Sequence, residues 1–485
     1  MALFGDVTLP GKPDLDNIRK IDTLIMPSIL GMMKYGFAID REKCWAIGEE
    51  LSTSMVELRK EICSYIPEDK LEEFIARSNL DDTDDSPMNV ESNKQLCKLL
   101  FEVLNIGDGR ELKRTKGGGQ ISTGRRQLEK LRLTHPVVGK VLNYREYSKL
   151  KTTYAYNLPS MATFHPESRH CPVCGIRHDA PTYRIHTEIL TTRTATGRCA
   201  SKNPNLQNIP IRSKLGAAIR AAFVASPGKK LVSVDYSQVE LRMLAFVGRV
   251  KKLIEVFLRN GDPHTVTAME AFGISEEEVL KDKVKYRNPS KNVNFAVVFG
   301  ETALGLYEQL VADSYGKAGV PVPDWLTLEW CEEFLNKWFD IYPEVKEYME
   351  LQSYRAYRYG MVWDMAGRIR LVPEVKSTHS RIVAAGLRQA GNMPIQGLAS
   401  ELMKLGIGEV QTFIEKEISS QGIYCIPLLT VHDEGIWEVD DDCAEIFKSM
   451  VEGVFKCVLI DKDDNRDYCS VPVEAEGKVM NQWEK

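Results

Sequence analysis

The sequence predicts an α+β fold: a small antiparallel sheet among many helices. Three observations carry this. Ile426-Pro427-Leu428-Leu429-Thr430-Val431 and Ile436-Trp437-Glu438-Val439 are apolar runs around His432-Asp433-Glu434-Gly435, which reads as a β-hairpin with a four-residue polar turn. Leu231-Val232-Ser233-Val234 reads as a buried strand that ends at Asp235, with Leu241, Met243 and Leu244 on a helix behind it. The remainder repeats at helical spacing: Ile25, Ile29, Met32 and Met33, then Leu51, Met55 and Leu58, with a helix-rich stretch over 250–360.

The 485 residues suffice for roughly two to four domains. Apolar residues make up 43% and charged ones 27%, a composition that buries a core. No apolar run is long enough to span a membrane, and the start has no signal-peptide pattern. Eleven mostly scattered cysteines suggest reduced thiols and a cytoplasmic chain. The net charge is −5, so any affinity for a polyanion must be local. Charge is indeed unevenly placed. Glu68–Glu91 holds nine acidic and two basic residues; Asp108–Lys151 holds twelve basic and four acidic. The basic segment opens with the Gly-rich loop Lys113-Arg114-Thr115-Lys116-Gly117-Gly118-Gly119 and is expected to continue as a helix from Arg125 to Lys149. It is either a solvated face or an arm that neutralises phosphates.

Asp235 and the Asp433-Glu434 pair stand at strand ends far apart in sequence. Each alone is an ordinary turn former. Brought together, such carboxylates hold two divalent cations, and hard oxygen ligands favour Mg²⁺. Between them lies Arg287-Asn288-Pro289-Ser290-Lys291-Asn292-Val293-Asn294-Phe295-Ala296-Val297-Val298-Phe299-Gly300. Asn288 reads as a helix cap, Pro289 as the first helical residue, and Gly300 as the stop. Lys291, Phe295 and Phe299 fall on one face. Arg and Lys at a helix N-terminus suit a triphosphate; the competing reading is a helix packing two Phe into a core.

These blocks resemble the motifs of family A DNA polymerases, the DNA polymerase I family. Asp235-Tyr236-Ser237-Gln238-Val239-Glu240-Leu241-Arg242 is similar to the first catalytic motif, the Arg287–Gly300 segment to the second, and Val431-His432-Asp433-Glu434 to the third. Thr194–Arg198, Pro204–Pro210, Asp262–Thr265, Gly367–Arg370 and Asn392–Gly397 also match, in the family's order, from about residue 20 to the C-terminus. The resemblance implies a right hand: lead-in 1–24, thumb 25–154, palm 155–250 and 376–485, and fingers 251–375. It implies dNTP addition to a primer 3′-hydroxyl, with Asp235, Asp433 and the Tyr236 carbonyl on two Mg²⁺ and Glu434 in support. His264, Arg287 and Lys291 would contact the triphosphate, Lys291 also protonating pyrophosphate, with Gln238 beside the nucleotide. Phe295 would sense the sugar 3′ side and disfavour dideoxynucleotides; Glu240 would exclude a 2′-hydroxyl. Arg198, Asn205, Gln207, Arg388, Asn392, Gln396 and His432 would contact DNA, and Lys113, Arg114 and Lys116 the duplex backbone. Pro394 would interrupt a helix, leaving Gln396 at the start of the next. Expected partners are primer-template DNA, dNTPs and replisome or processivity factors, with a monomeric chain in the cytoplasm, the host's if viral. Three alternatives remain open: a single-subunit RNA polymerase, against which Glu240 speaks; a silent DNA-binding scaffold; and a two-metal nuclease, which has no use for the triphosphate helix.

The chain departs from the family in three ways. The match starts at the thumb, so polymerisation without the 3′–5′ and 5′ nuclease domains is expected. Between 164 and 183, where the family has a tight hairpin, stands an insertion rich in Cys and His. Its Cys171-Pro172-Val173-Cys174-Gly175 is a zinc-knuckle turn, and Cys171, Cys174, His178 and either His165 or His170 would complete four ligands, with His186 a weaker candidate. The alternative is a polar loop with two reduced thiols. Lastly, Phe299 replaces a common family tyrosine whose hydroxyl can bond the glutamate at 240. Phe299→Tyr should therefore raise dNTP-over-rNTP preference by roughly two- to tenfold, read as the ratio of kcat/KM in single-nucleotide incorporation; an unchanged ratio excludes the missing hydroxyl as a determinant.

Overall fold

In a computed structural model, residues 11–75, 87–107, 112–115, 119–210, 213–298, 300–311, 322–457 and 471–484 are described. The strands are β1 (Phe37–Ala38), β2 (Thr163–His165), β3 (Thr182–Ile185), β4 (Glu188–Leu190), β5 (Ala200–Lys202), β6 (Lys229–Tyr236), β7 (Met361–Trp363), β8 (Ile369–Leu371), β9 (Cys425–Val431), β10 (Glu434–Asp440) and β11 (Ala475–Met480). The main sheet has the order β11-β6-β10-β9 with every pair antiparallel. Pro427 is tolerated because β9 is the edge strand, and a bulge follows at Ile436/Trp437. The expected four-residue turn is shorter. Only His432 and Asp433 lie between the strands, because His432 takes φ +53° and lets pairing resume at Glu434. Among the described residues no helix is long and apolar enough to cross a membrane.

The sheet and the helices around it share one large core. Tyr236 stacks on Phe455 at 4.8 Å, and Trp437 lies edge-on to Phe447 and Phe455 of the helix Ala444–Lys456. Gly435 is required there: a Cβ would stand 2.4 Å from the Trp437 ring. A second core, from Met55 to Tyr144, is built by helices of the expected thumb. The basic segment differs from the single helix expected. It forms Arg125–Lys130 and Pro136–Lys149, separated at His135, whose ring caps the second helix by accepting from Val137 N–H at 3.2 Å. Proline cannot continue a helix but starts one well. Arg126 and Lys130 reach across to Glu308 in the helix Ala303–Gln309, Arg126 at 3.9 Å. Pro394 also behaves differently from expectation: Ser380–Phe413 runs through it as one 34-residue helix. The proline removes one hydrogen bond, but Met393, Ile395, Leu398, Leu402 and Leu405 are buried, and that packing outweighs a local defect of about 3 kcal/mol.

One buried ion pair joins the small sheet β1-β3-β2 to the main one. Arg184 of β3 and Glu438 of β10 are both 0% exposed and 3.0 Å apart. Every side of the pair is satisfied: Arg184 donates to the Tyr35 and Gly36 carbonyls and Ser226 Oγ, and Glu438 accepts from Ser226 N–H and Tyr424 O–H. Arg184→Met would strand a buried carboxylate and should cost about 3–5 kcal/mol, read from denaturant unfolding; a loss under 1 kcal/mol would show the pair to be dispensable.

Candidate active site

Backbone register brings the distant acids together. Asp235 in β6 lies opposite Glu434, and Tyr236 N–H donates to the Asp433 carbonyl at 3.0 Å. The register therefore brings the backbones of Asp235 and Asp433 to the same end of the main sheet. Burial pushes the Asp433 carboxyl up, opposed by Arg198, whose Nη2 is 3.6 Å away, and by His432. The same Arg198 nitrogen is 2.5 Å from Glu240 Oε1. Glu240 is buried on the helix Val239–Val247, and burial pushes its carboxyl up despite Arg198 and a bond from Gln396. One guanidinium thus serves two acids, leaving this edge short of positive charge. Hard oxygens with a charge deficit fit magnesium, with the Tyr236 carbonyl as the adjoining backbone oxygen.

Glu434 is bonded within the fold. Its carboxylate accepts from Ser233 Oγ, from Arg220 Nη2 at 2.7 Å and from Trp483 Nε1 at 3.3 Å, and Arg220 stacks on the Trp483 ring at 3.8 Å. The carboxylate expected to support the metals is thus already hydrogen-bonded at the strand end.

The helix Arg287–Val298 starts earlier than expected. Asn288 is not its cap; its N–H already donates to Lys283 O at 2.8 Å, since the turn from Asp282 to Tyr286 leads straight in. The N-terminus therefore offers few open N–H groups, and its positive charge sits on the Arg287 and Lys291 side chains. Gly300, at φ +63°, stops the helix as expected, with Glu301 N–H returning to Ala296 O at 2.8 Å. Arg287 is held by Asp262 at 2.6 Å, while Lys291 is exposed. Asp262 also caps the helix Pro263–Phe272, which presents His264. The His264 ring lies 5.7 Å from that of Phe295.

His264 is 2% exposed, and burial, with Arg287 and Lys291 nearby, brings its pKa down to about 4 against the pull of Asp262. Its tautomer is set by a relay absent from the sequence-based expectations. Trp338 Nε1, which only donates, donates a hydrogen bond to Asn294 Oδ1 at 2.6 Å. Asn294 Nδ2 must then donate to His264 Nδ1, 2.9 Å away, so the proton of the neutral ring resides on Nε2. Only the position of Asn294 beside Phe295 in the motif hinted at this.

The expected DNA contacts divide. Gln207 is occupied within the fold: Oε1 accepts from Ser201 N–H, and Nε2 donates to Thr430 O at 2.8 Å. Asn205 accepts from Ser201 Oγ. Arg388 is exposed beside Gly300, and His432 is exposed at the hairpin tip. Asn392 Oδ1 and Gln238 Oε1 are buried without hydrogen-bond partners. Lys113 and Arg114 are exposed, and Ser122 N–H donates to Lys113 O at 2.8 Å. Lys116 and Phe299 lie outside the described residues.

Sheet, helix and paired acids define a right-hand polymerase fold. The chain belongs to DNA polymerase family A, whose sequence profile matches residues 66–485. It is 35% identical over 401 residues to the thermostable DNA polymerase I of Thermus aquaticus, covering 82% of this chain and 42% of that protein. It is 33% identical over 466 residues to DNA polymerase I of Caldicellulosiruptor bescii, covering 96% and 47%. The chain thus spans about half the length of these relatives. Among solved structures it is similar to the POL domain of Pol1 from M. smegmatis in complex with DNA primer-template and dNTP, with TM-score 0.72, 26% identity, and coverage of 96% of this chain and 72% of that one.

Asn294→Asp tests the relay. A carboxylate facing Nδ1 favours imidazolium, so the His264 pKa should rise from about 4 to above the ordinary value of about 6.5, followed by ¹⁵N NMR titration of the ring; an unmoved pKa would exclude Asn294 as the tautomer-setting partner.

Proposed function

We propose that the chain is a template-directed DNA polymerase that adds dNTPs to a primer 3′-hydroxyl, with primer-template DNA as its macromolecular partner. The β6–β10 register carries the reading, because it sets Asp235 and Asp433 at one sheet end within a fold that also supplies Arg287 and Lys291. Family membership supports it, as does the likeness to a polymerase domain described in complex with primer-template and dNTP.

Asp235, Asp433 and the Tyr236 carbonyl would hold the metals. Magnesium bound there neutralises the attacking and leaving oxygens and makes the 3′-hydroxyl easier to deprotonate. The protein's own groups do the rest. Arg287, braced by Asp262, and neutral His264, donating through Nε2, orient the triphosphate. Lys291, exposed on the same helix, protonates the departing pyrophosphate. Glu240, clamped by Arg198 and Gln396, fills the space a ribose 2′-hydroxyl would need. Arg388, Asn392 and His432 meet the minor groove, whose acceptors are similarly placed in all four base pairs. Lys113 and Arg114 neutralise the duplex backbone. The enzyme acts as a cytoplasmic monomer.

Asp433→Ala should cut primer extension with Mg²⁺ by about a thousandfold or more, while duplex affinity at fixed salt changes little. Extension at the wild-type rate would overturn the assignment, and faster rNTP than dNTP incorporation by the wild type would favour an RNA polymerase.

A further inference from the structure

The Cys/His insertion lies apart from the polymerase site and has a chemistry of its own. Residues 166–181 leave β2 and return to β3 as a folded loop, pinned where Ser168 and His178 exchange backbone hydrogen bonds of 2.9 and 2.8 Å. At its centre Cys171 N–H donates to Ile176 O, Gly175 N–H to Cys171 O, and Gly175 takes φ +78°, which suits glycine. Val173 N–H points at Cys171 Sγ, 3.4 Å away. This N–H···S turn presents both sulfurs to the same side.

Two histidines meet them. His165 Nδ1 is 3.6 Å from Cys171 Sγ, and His178 Nε2 is 3.1 Å from Cys174 Sγ. All four donor atoms lie within 4.8 Å of one another, and all four residues are buried. Bond lengths of about 2.3 Å to sulfur and 2.0 Å to nitrogen put the donors of a tetrahedral zinc site roughly 3.3–3.8 Å apart, so little movement is needed. His170 is exposed and outside the cluster, which decides between the two histidines left open by the sequence.

The protonation of His165 is also prearranged. His186 Nδ1 lies 3.0 Å from Met33 O, and a carbonyl only accepts, so that nitrogen carries the proton. His186 Nε2 is then an acceptor, and His165 Nε2, 3.0 Å away, must donate to it. The remaining lone pair, on His165 Nδ1, faces the sulfurs. Hydrogen bonds that hold a ligating imidazole in one tautomer are what metal sites build around their ligands.

We propose that this chain binds one structural zinc ion through His165 Nδ1, Cys171 Sγ, Cys174 Sγ and His178 Nε2, with His186 as the positioning residue for His165. Binding releases the two thiol protons, and no open coordination position remains for chemistry. The ion staples the insertion to the strands behind the active site. Asp179, one residue past His178, bonds Lys229 of β6 at 2.9 Å, and Lys229 bonds Asp440 of β10 at 2.6 Å.

The test uses the full chain purified without chelator. Elemental analysis should find one zinc per chain in the wild type, in His170→Ala and in Cys331→Ser, a buried cysteine elsewhere. Cys174→Ser should hold less than a tenth as much, and His186→Ala should bind zinc about 10–100-fold more weakly. Reconstitution with cobalt should give thiolate charge-transfer absorption and the d–d bands of a tetrahedral ion, a readout independent of whether Cys174→Ser folds. A zinc-selective chelator should lower Tm with Mg²⁺ still present. Wild type that holds no zinc after reconstitution, a Cys171–Cys174 disulfide in the purified protein, or zinc lost from His170→Ala but kept by His165→Ala would each overturn the proposal. Polymerase failure with zinc retained would bear only on the proposed function.

Discussion

The hydrogen bond from Tyr236 N–H to the Asp433 carbonyl is the contact on which the rest depends. It closes the antiparallel ladder between β6 and β10 at the end where both acids stand. A slip of one residue would turn every side chain of one strand to the opposite face, exchanging Asp433 for Glu434 and Tyr236 for its neighbours. Slippage is opposed by apolar packing: Trp437 and Tyr236 lock onto Phe455, and Gly435 leaves room for the indole. Core packing on one side of the sheet thus holds the register that sets which residues stand at its end.

Around those acids the charges are shared sparingly. Arg198 bridges Glu240 and Asp433, and Arg220 is held by Glu434 and the Trp483 ring. The two arginines sort three acids into distinct environments: Glu434 bonded to its neighbours, Glu240 clamped by Arg198 and Gln396, and Asp433 with Arg198 at 3.6 Å and His432 nearby. Across the cleft the Trp338–Asn294–His264 relay keeps an imidazole neutral among Arg287, Lys291 and Asp262. Such a group can donate to a phosphate without adding repulsion to the helix that carries the cations.

Much of this was legible in the sequence for identifiable reasons. Strand β6 and the β9–β10 hairpin are uninterrupted apolar runs ended by acids, and runs of that kind have few other solutions. The first helices showed their buried stripe through Ile25, Ile29 and Met32. What stayed hidden depends on tertiary contact. Nothing local reveals that Glu434 is taken by Arg220, that Ser380–Phe413 is buried enough to carry Pro394, or that Asn294 links Trp338 to His264. The break at His135 was signalled by Pro136, yet net charge drew the eye to a continuous basic face. In the Cys/His loop, spacing alone could not choose between His165 and His170; burial does.

The reach of Arg126 and Lys130 to Glu308 changes how the cationic arm should be counted. These side chains already face a carboxylate of the helix Ala303–Gln309. A polyanion binding this arm would swap partners with Glu308 and release fewer condensed ions at those positions than their formal charge suggests.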